Sequence, residues 1–163
     1  CAKRGFIPVH FSSLQTMHDS ITTYNDLSAR NGRAVKFGQQ QNICRFPHIA
    51  TSAADFDRRL KEYDVDIYKN FYAPFFPQMP QGEGDAILEG MKKSELFVGG
   101  SLQESKDAWR RIYDKAPCEY ITLIWHWAQC PKEVMLEELD LFMREVLPLL
   151  ETPDYEVRRQ AAQ

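Results

Sequence analysis

The groups in this sequence with chemistry to offer are polar side chains that fall at the ends of apolar runs. His10 closes Phe6-Ile7-Pro8-Val9-His10-Phe11 and is followed by Ser12. An imidazole there can carry a proton or hold a ligand; the plainer reading is a histidine bonded in the core and a serine that caps the next helix. Trp125-His126-Trp127 ends a second run, where strand alternation sends His126 to the face opposite both tryptophans. One of those faces lines the interior of a closed sheet, although tryptophans also pack under helices whether or not a ligand is present. Gln39, Gln40, Gln41 and Asn42 interrupt a third apolar stretch. Those turned inward need each other, water or a ligand, and half of them face outward. Arg45 offers a cation for a phosphate, but a surface ion pair is the commoner fate of a lone arginine. Gly99-Gly100-Ser101 precedes a helix start, a natural anion site, yet its spacing is not G-x-G-x-x-G and ordinary capping accounts for it.

Metal chemistry finds little support. Cys1, Cys44, Cys118 and Cys130 have no CxxC spacing, and combining Cys118, His126 and Cys130 matches no short-range zinc pattern. Free buried thiols and no metal are expected. The net charge is −3 with acids and bases interspersed, which argues against nucleic acid as a partner. No apolar run approaches the roughly 20 residues of a membrane helix, and nothing near Cys1 resembles a signal peptide. A cytoplasmic protein without a membrane partner is therefore expected.

The elements that must position these groups alternate in type. With 163 residues, 44% of them hydrophobic, the chain is long enough for one domain with a core. Cys1-Ala2-Lys3-Arg4-Gly5 resembles a helix end stopped by a glycine cap. The first strand follows over 6–11, then a helix over 14–30, with Ser12 and Gln15 at capping-box spacing and Asn31-Gly32 as its stop. A strand over 34–49 carries the polar group in its middle. Ser52 then caps a helix whose inward face is Phe56, Leu60, Tyr63, Ile67 and Phe71 at the 3.6-residue period. Residues 73–94, dense in Pro and Gly at the start, read as an irregular excursion. A short strand at 96–98 leads into a helix capped by Ser101 and Glu104. The β-branched and aromatic run 120–127 reads as a central strand buried on both faces. Pro131 opens the last helix, with Met135, Leu139, Phe142, Met143 and Val146 on one face, and 151–163 is a polar tail. Such alternation predicts an α/β fold with a parallel sheet and right-handed crossovers. An eight-unit barrel needs about 250 residues, so this chain supplies close to half of one.

Several segments together resemble the C-terminal units of bacterial-luciferase-like flavin monooxygenases. They are Glu95-Leu-Phe-Val-Gly-Gly-Ser-Leu-Gln-Glu-Ser-Lys-Asp-Ala-Trp-Arg-Arg-Ile-Tyr, Glu119-Tyr-Ile-Thr-Leu-Ile-Trp-His-Trp, and the helix ending in Glu145-Val146-Leu147-Pro148. Ala2-Lys-Arg-Gly-Phe-Ile-Pro-Val-His-Phe looks like that family's passage into its sixth strand, and residues 43–54 like its seventh strand and following helix. No single motif is specific; order and spacing carry the likeness.

The resemblance implies a TIM (β/α)8 barrel of the luciferase-like type, with only the C-terminal half, about strands six to eight and their helices, in residues 1–163. It implies flavin-dependent oxygenation, in which reduced FMN from a partner reductase and dioxygen oxidise an aldehyde or similar small organic substrate. Cofactor-binding or pocket-lining residues would be His10, Phe11, Ser12, Gln39, Gln41, Trp125, His126 and Trp127, at or near the strand ends where such barrels bind ligands. The phosphate-binding turn and any catalytic residue would lie upstream, so no catalytic residue is assigned and the chain by itself would be inactive. Implied partners are the N-terminal half of the same barrel, a second copy in a homodimer, and a flavin reductase. Two alternatives stay open: a non-catalytic flavin-binding or self-associating truncated barrel, and a deazaflavin-dependent reductase of the same superfamily.

Overall fold

The computed structural model describes residues 1–75, 82–126 and 129–150. The expected alternation of strand and helix is present. A short 3-10 turn, Ala2–Arg4, ends at Gly5 in the left-handed conformation, the predicted glycine stop. β1 (Val9–His10) leads into α1 (Leu14–Arg30), whose cap is Ser13, accepting from the Thr16 N–H, and not Ser12. β2 (Asn42–Ala50) follows, then a helical segment from 53 to 75, α5 (Asp85–Lys93), β3 (Phe97–Ser101), α6 (Leu102–Lys115), β4 (Tyr120–Leu123) and α7 (Lys132–Leu141). The stretch expected to be irregular over 73–94 thus contains a regular helix, α5. The tail 151–163 lies outside the described residues.

All strand pairs are parallel, and β2 is the common partner. The Asn42 and Phe46 amides donate to Pro8 and Leu96, whereas the Gln41 and Arg45 carbonyls accept from Tyr120 and Ile124. Backbone groups alternate between the two edges of a strand. β1 and β3 therefore lie end to end along one edge of β2, and β4 takes the other. Pro47, inside this central strand, turns its nitrogen toward the β4 edge just past the last bond at Ile124, where no donor is required.

This corrects the expected centre of the sheet. The run 120–127 yields a strand of only four residues, half-exposed and with Tyr120 40% accessible, while β2 is buried along nearly its whole length. The polar Gln39–Gln41 precede β2 instead of sitting in its middle.

Side-chain alternation on β2 divides the core in two. Ile43 and Ile49 pack with Met17 and Ile21 of α1, Trp109 and Ile112 of α6, and Phe142 and Val146. Phe46 and Ala50 pack on the opposite face with Phe56, Leu60, Tyr68 and the α5 residues Ile87, Leu88 and Met91. Gly99 is demanded by this packing, since a Cβ there would stand 2.2 Å from the His48 carbonyl and 2.6 Å from the Phe56 ring. Arg45, fully buried, donates to the carbonyls of His10, Ser12 and Cys44 and so ties β1 to β2; it forms no surface ion pair.

The segment 53–75 is not one regular α-helix. α2 (Ala53–Arg59) passes into a π-turn (Leu60–Asp64), α3 (Val65–Ile67), a second π-turn (Tyr68–Tyr72) and α4 (Ala73–Phe75). Wide turns slow the rotation of side chains about the axis, so positions four apart stay on one face. Phe56, Leu60, Asp64 and Tyr68 are buried in place of Tyr63, Ile67 and Phe71. The last helix repeats the device: α7 runs into a π-turn (Phe142–Val146), and Glu138, Phe142, Val146 and Leu150 are buried while Met143 is exposed. Each stripe carries one carboxylate inward, Asp64 in the first and Glu138 in the second.

Candidate functional site

Asp64 and Glu138 meet at His48, the residue of β2 that follows Phe46 on the same face. His48 Nε2 is 2.8 Å from Asp64 Oδ2, and its Nδ1 is 3.0 Å from Glu138 Oε2. Both nitrogens face carboxylate oxygens, so both must carry hydrogen and the ring is an imidazolium. Burial alone depresses the basicity of His48, but the hydrogen bonds and charges of Asp64 and Glu138 reverse this and raise its pKa to about 9. For Asp64, burial favours the neutral acid, and the hydrogen bonds from His126 and His48 outweigh it, holding the carboxyl below its ordinary range.

The network extends at both ends. Glu138 also accepts from Arg59 Nη1 and, at 2.7 Å, from the Trp125 indole. Arg59 reaches outward to Asp55, which is itself held by Thr51. At the other end Asp64 Oδ1 accepts from His126 Nδ1 at 2.6 Å. His48, Asp64, Glu138 and His126 are all at most 5% exposed. The carboxylates of Asp64 and Glu138 thus meet the His48 imidazolium and the Arg59 guanidinium, the pairing under which a buried ionic cluster is tolerable.

His126 Nε2 is different from the rest. It is buried and has no hydrogen-bond partner among the described residues, and buried polar atoms in that condition are uncommon. Its ring stands 5.0 Å from Phe46 and 5.7 Å from Tyr72. Phe11 completes an aromatic box, 5.4 Å from Phe46 and 6.1 Å from Tyr72. The box lies just past the C-terminal end of β4 and of β1, the end at which parallel α/β sheets bind ligands.

The residues singled out from sequence separate into groups. Phe11 and His126 are brought together in the box. Trp125 joins the same network through Glu138. His10 is bonded to Gln41 at 2.8 Å, both buried, near the N-terminal end of β2. Gln39 closes a turn on the Lys36 amide, and Ser12 lends its carbonyl to Arg45. Trp127 lies outside the described residues. Gly99-Gly100-Ser101 forms a complete capping box with Glu104. Of the thiols, Cys44, Cys118 and Cys130 are buried as expected, but Cys1 is exposed. Among the described residues no three His, Cys, Asp or Glu groups are arranged to hold a metal ion, and no helix is long and apolar enough to cross a membrane.

His48, Asp64, Glu138 and Arg59 were not among the expected site residues. The available signal was spacing: a four-residue inward stripe places Asp64 and Glu138 inside, whereas the 3.6-residue period places them at the boundary.

The comparisons with known proteins bear on this geometry. No protein-family model matches the chain, and no curated protein does. Among solved structures, the FMN complex of the oxygenating constituent of 3,6-diketocamphane monooxygenase, a type II Baeyer-Villiger monooxygenase from the CAM plasmid of Pseudomonas putida, superposes with a TM-score of 0.75 at 15% identity. The match covers 93% of this chain and 45% of that one. Monooxygenase RslO1 from Streptomyces bottropensis matches with a TM-score of 0.64 at 14% identity, over 90% of this chain and 43% of its own. The fold is shared with these two structures over nearly the whole of this chain. The chain spans less than half the length of either structure.

Proposed function

We propose that the chain forms one wall of the flavin site in an FMN-dependent monooxygenase acting on an aldehyde or similar small carbonyl compound, within a luciferase-like barrel of which it is the C-terminal half. The observation that carries this reading is the aromatic box with an uncommitted imidazole nitrogen at the ligand-binding end of a sheet whose fold is shared with an FMN-bound monooxygenase. Phe11 and Tyr72, half-buried and packed against the buried Phe46, offer apolar surface at that end.

The contact proposed is with the ring and not with the phosphate. Of the guanidinium groups, the buried Arg45 is engaged by three backbone carbonyls and the half-buried Arg59 by Glu138 and Asp55. The phosphate would be held by another part of the complete protein. Support for such a part comes from the outer edge of β4, where Tyr113, Ile121, Leu123, Leu139, Met143 and Leu150 line an apolar groove of about 550 Å³ beside a short, half-exposed strand. A further strand and helix of the same barrel would cover it. A homodimer and a separate reductase that delivers reduced flavin belong to the same proposal.

Reduced flavin supplies the two electrons that allow dioxygen to be divided between substrate and water. The contribution of this chain is apolar surface at the ligand end, where Phe11 and Tyr72 beside the buried Phe46 would exclude water from the ring. The test is flavin titration of the complete protein, followed by turnover with a reductase, an aldehyde series and ¹⁸O-labelled dioxygen. The expected result is FMN binding in the micromolar range or tighter with one labelled oxygen in the product. Binding of a deazaflavin in place of FMN, or product without label, would overturn it.

A further inference from the structure

A strand at the rim of a sheet has a row of N–H and C=O groups with nothing to bond, and proteins ordinarily blunt such an edge with a proline, a charged residue or a covering element. β3 is such a strand. Leu96 accepts from the Phe46 amide, so Leu96, Val98 and Gly100 serve β2, and the backbone groups of Phe97 and Gly99 turn the other way. No backbone or side-chain group among the described residues bonds them. The run Phe97-Val98-Gly99-Gly100 contains no proline and no charge.

Instead of a cover, this edge has a trench of about 300 Å³, with Phe56 and Asp57 of α2 on one side and Ala108, Arg111 and Ile112 of α6 on the other. The walls belong to opposite faces of the sheet, since Phe56 packs with Phe97 and Ile112 with Val98. What enters between them must therefore be one layer thick. An extended chain lying about 4.8 Å from its neighbour meets that condition, and a helix about 10 Å across does not. Gly99 and Gly100 leave part of the floor bare of side chains, so a second backbone can come close. The charges in the trench are nearly all committed: Lys92 is paired with Asp57 and Glu89, Glu95 accepts from the Leu14 amide, and Glu104 accepts from the Ser101 amide. Arg111 is exposed and has no hydrogen bond or ion pair among the described residues, so the unbalanced charge is positive.

We propose that the free edge of β3 takes an extended, acidic peptide segment of a protein partner as an added strand, with an acidic side chain of that segment against Arg111 and apolar ones against Phe56. Main-chain hydrogen bonds to Phe97 and Gly99 supply the attachment, and the two walls read alternate side chains, the usual division of labour when a peptide extends a sheet. The proposal is independent of the flavin reading, and its edge lies across β2 from the groove beside β4.

The test is titration of the ¹⁵N-labelled complete protein with acetyl-Val-Asp-Val-Asp-Val-amide, whose aspartates fall on one face of a strand and whose valines fall on the other. The Phe97 and Gly99 amide resonances should shift, and both amides should exchange with solvent about tenfold more slowly in the complex. Only every second amide of an added strand faces β3, so of the two alternately N-methylated forms of the peptide one should bind about tenfold more weakly and the other as well as the parent. Lysine in place of the aspartates, or Arg111→Gln in the protein, should weaken binding several-fold at low salt, and the difference should shrink as salt is added. Phe97 and Gly99 amides already protected in the peptide-free protein would show the edge to be paired and would overturn the proposal. So would an absence of shifts at millimolar peptide, or equal binding of both N-methylated forms. Aspartate and lysine peptides bound equally well would overturn the assignment of an acidic partner.

Discussion

His48 Nε2 lies 2.8 Å from Asp64 Oδ2 with both side chains 1% exposed, an ion pair sealed between the central strand and a π-turn. Removing either partner strands the other charge in the interior, and breaking a buried pair from one side costs about 3–5 kcal/mol. His48→Leu leaves Asp64 and Glu138 both short of a partner, so its unfolding free energy in urea should fall by about that amount, well beyond the effect of trimming an exposed side chain. A loss under about 1 kcal/mol would mean that the pair is solvated in solution.

The same ring makes stability depend on pH in a defined direction. The His48 pKa rises from 6.5 to about 9 on folding. Its contribution is therefore complete below about pH 6.5 and is lost as pH rises through 9, amounting to roughly 3 kcal/mol at one pKa unit per 1.36 kcal/mol. Asp64 is shifted the opposite way, so its contribution holds above the ordinary carboxylate range and is lost as pH falls through the depressed value. Urea midpoints measured from pH 5 to pH 10 should decline on the alkaline side in wild type, and the decline should be absent from His48→Leu.

Gly99 is the β3 partner of His48 on β2, and a side chain there would run into the His48 carbonyl. A methyl group there must push β3 away from β2 or displace Phe56, and overpacking of this kind costs about 1–3 kcal/mol. Gly99→Ala should lower stability by that amount and also perturb the His48 resonances, whereas an alanine at Gly32, which has open space around it, should leave His48 untouched.

How far the sequence foretold this arrangement depends on which signal each element used. Caps and stops were legible because they are local: the Ser101–Glu104 capping box, the Ser52 cap and the Gly5 stop all stand where the residue types placed them. The centre of the sheet was not, since the aromatic run 120–127 and the less regular β2 differ in burial only through what packs on them. Phe11 and His126 stood out as chemistry at strand ends. Asp64 and Glu138 did not, because each sits among other acids on a helix and is turned inward only by π-turns that stretch the period from 3.6 to about four. A reading tied to the ordinary helix period assigns those inward places to Tyr63 and Met143, and so separates the histidines from the carboxylates that hold them.

The thiols offer a last test of the packing around β2 and β4. Cys44, Cys118 and Cys130 are buried and Cys1 is exposed. Burial pushes the Cys118 thiol up to about 12, against the pull of Arg45, and the Cys130 thiol up to about 11. Thiolate is the reactive form, so these groups are protected both by access and by protonation. A disulfide reagent at pH 8 should therefore modify one thiol quickly in the native protein, at Cys1, and all four only after denaturation. Arg45→Met removes the cation that favours the Cys44 and Cys118 thiolates and unties the His10 and Ser12 carbonyls from β2. The two changes act oppositely on labelling: lower thiolate character slows it, and a loosened β1 speeds it. Faster labelling of Cys44 in this variant is the expected outcome, because opening the strand changes access by more than one charge changes protonation, and unchanged labelling would show that β1 is held without Arg45.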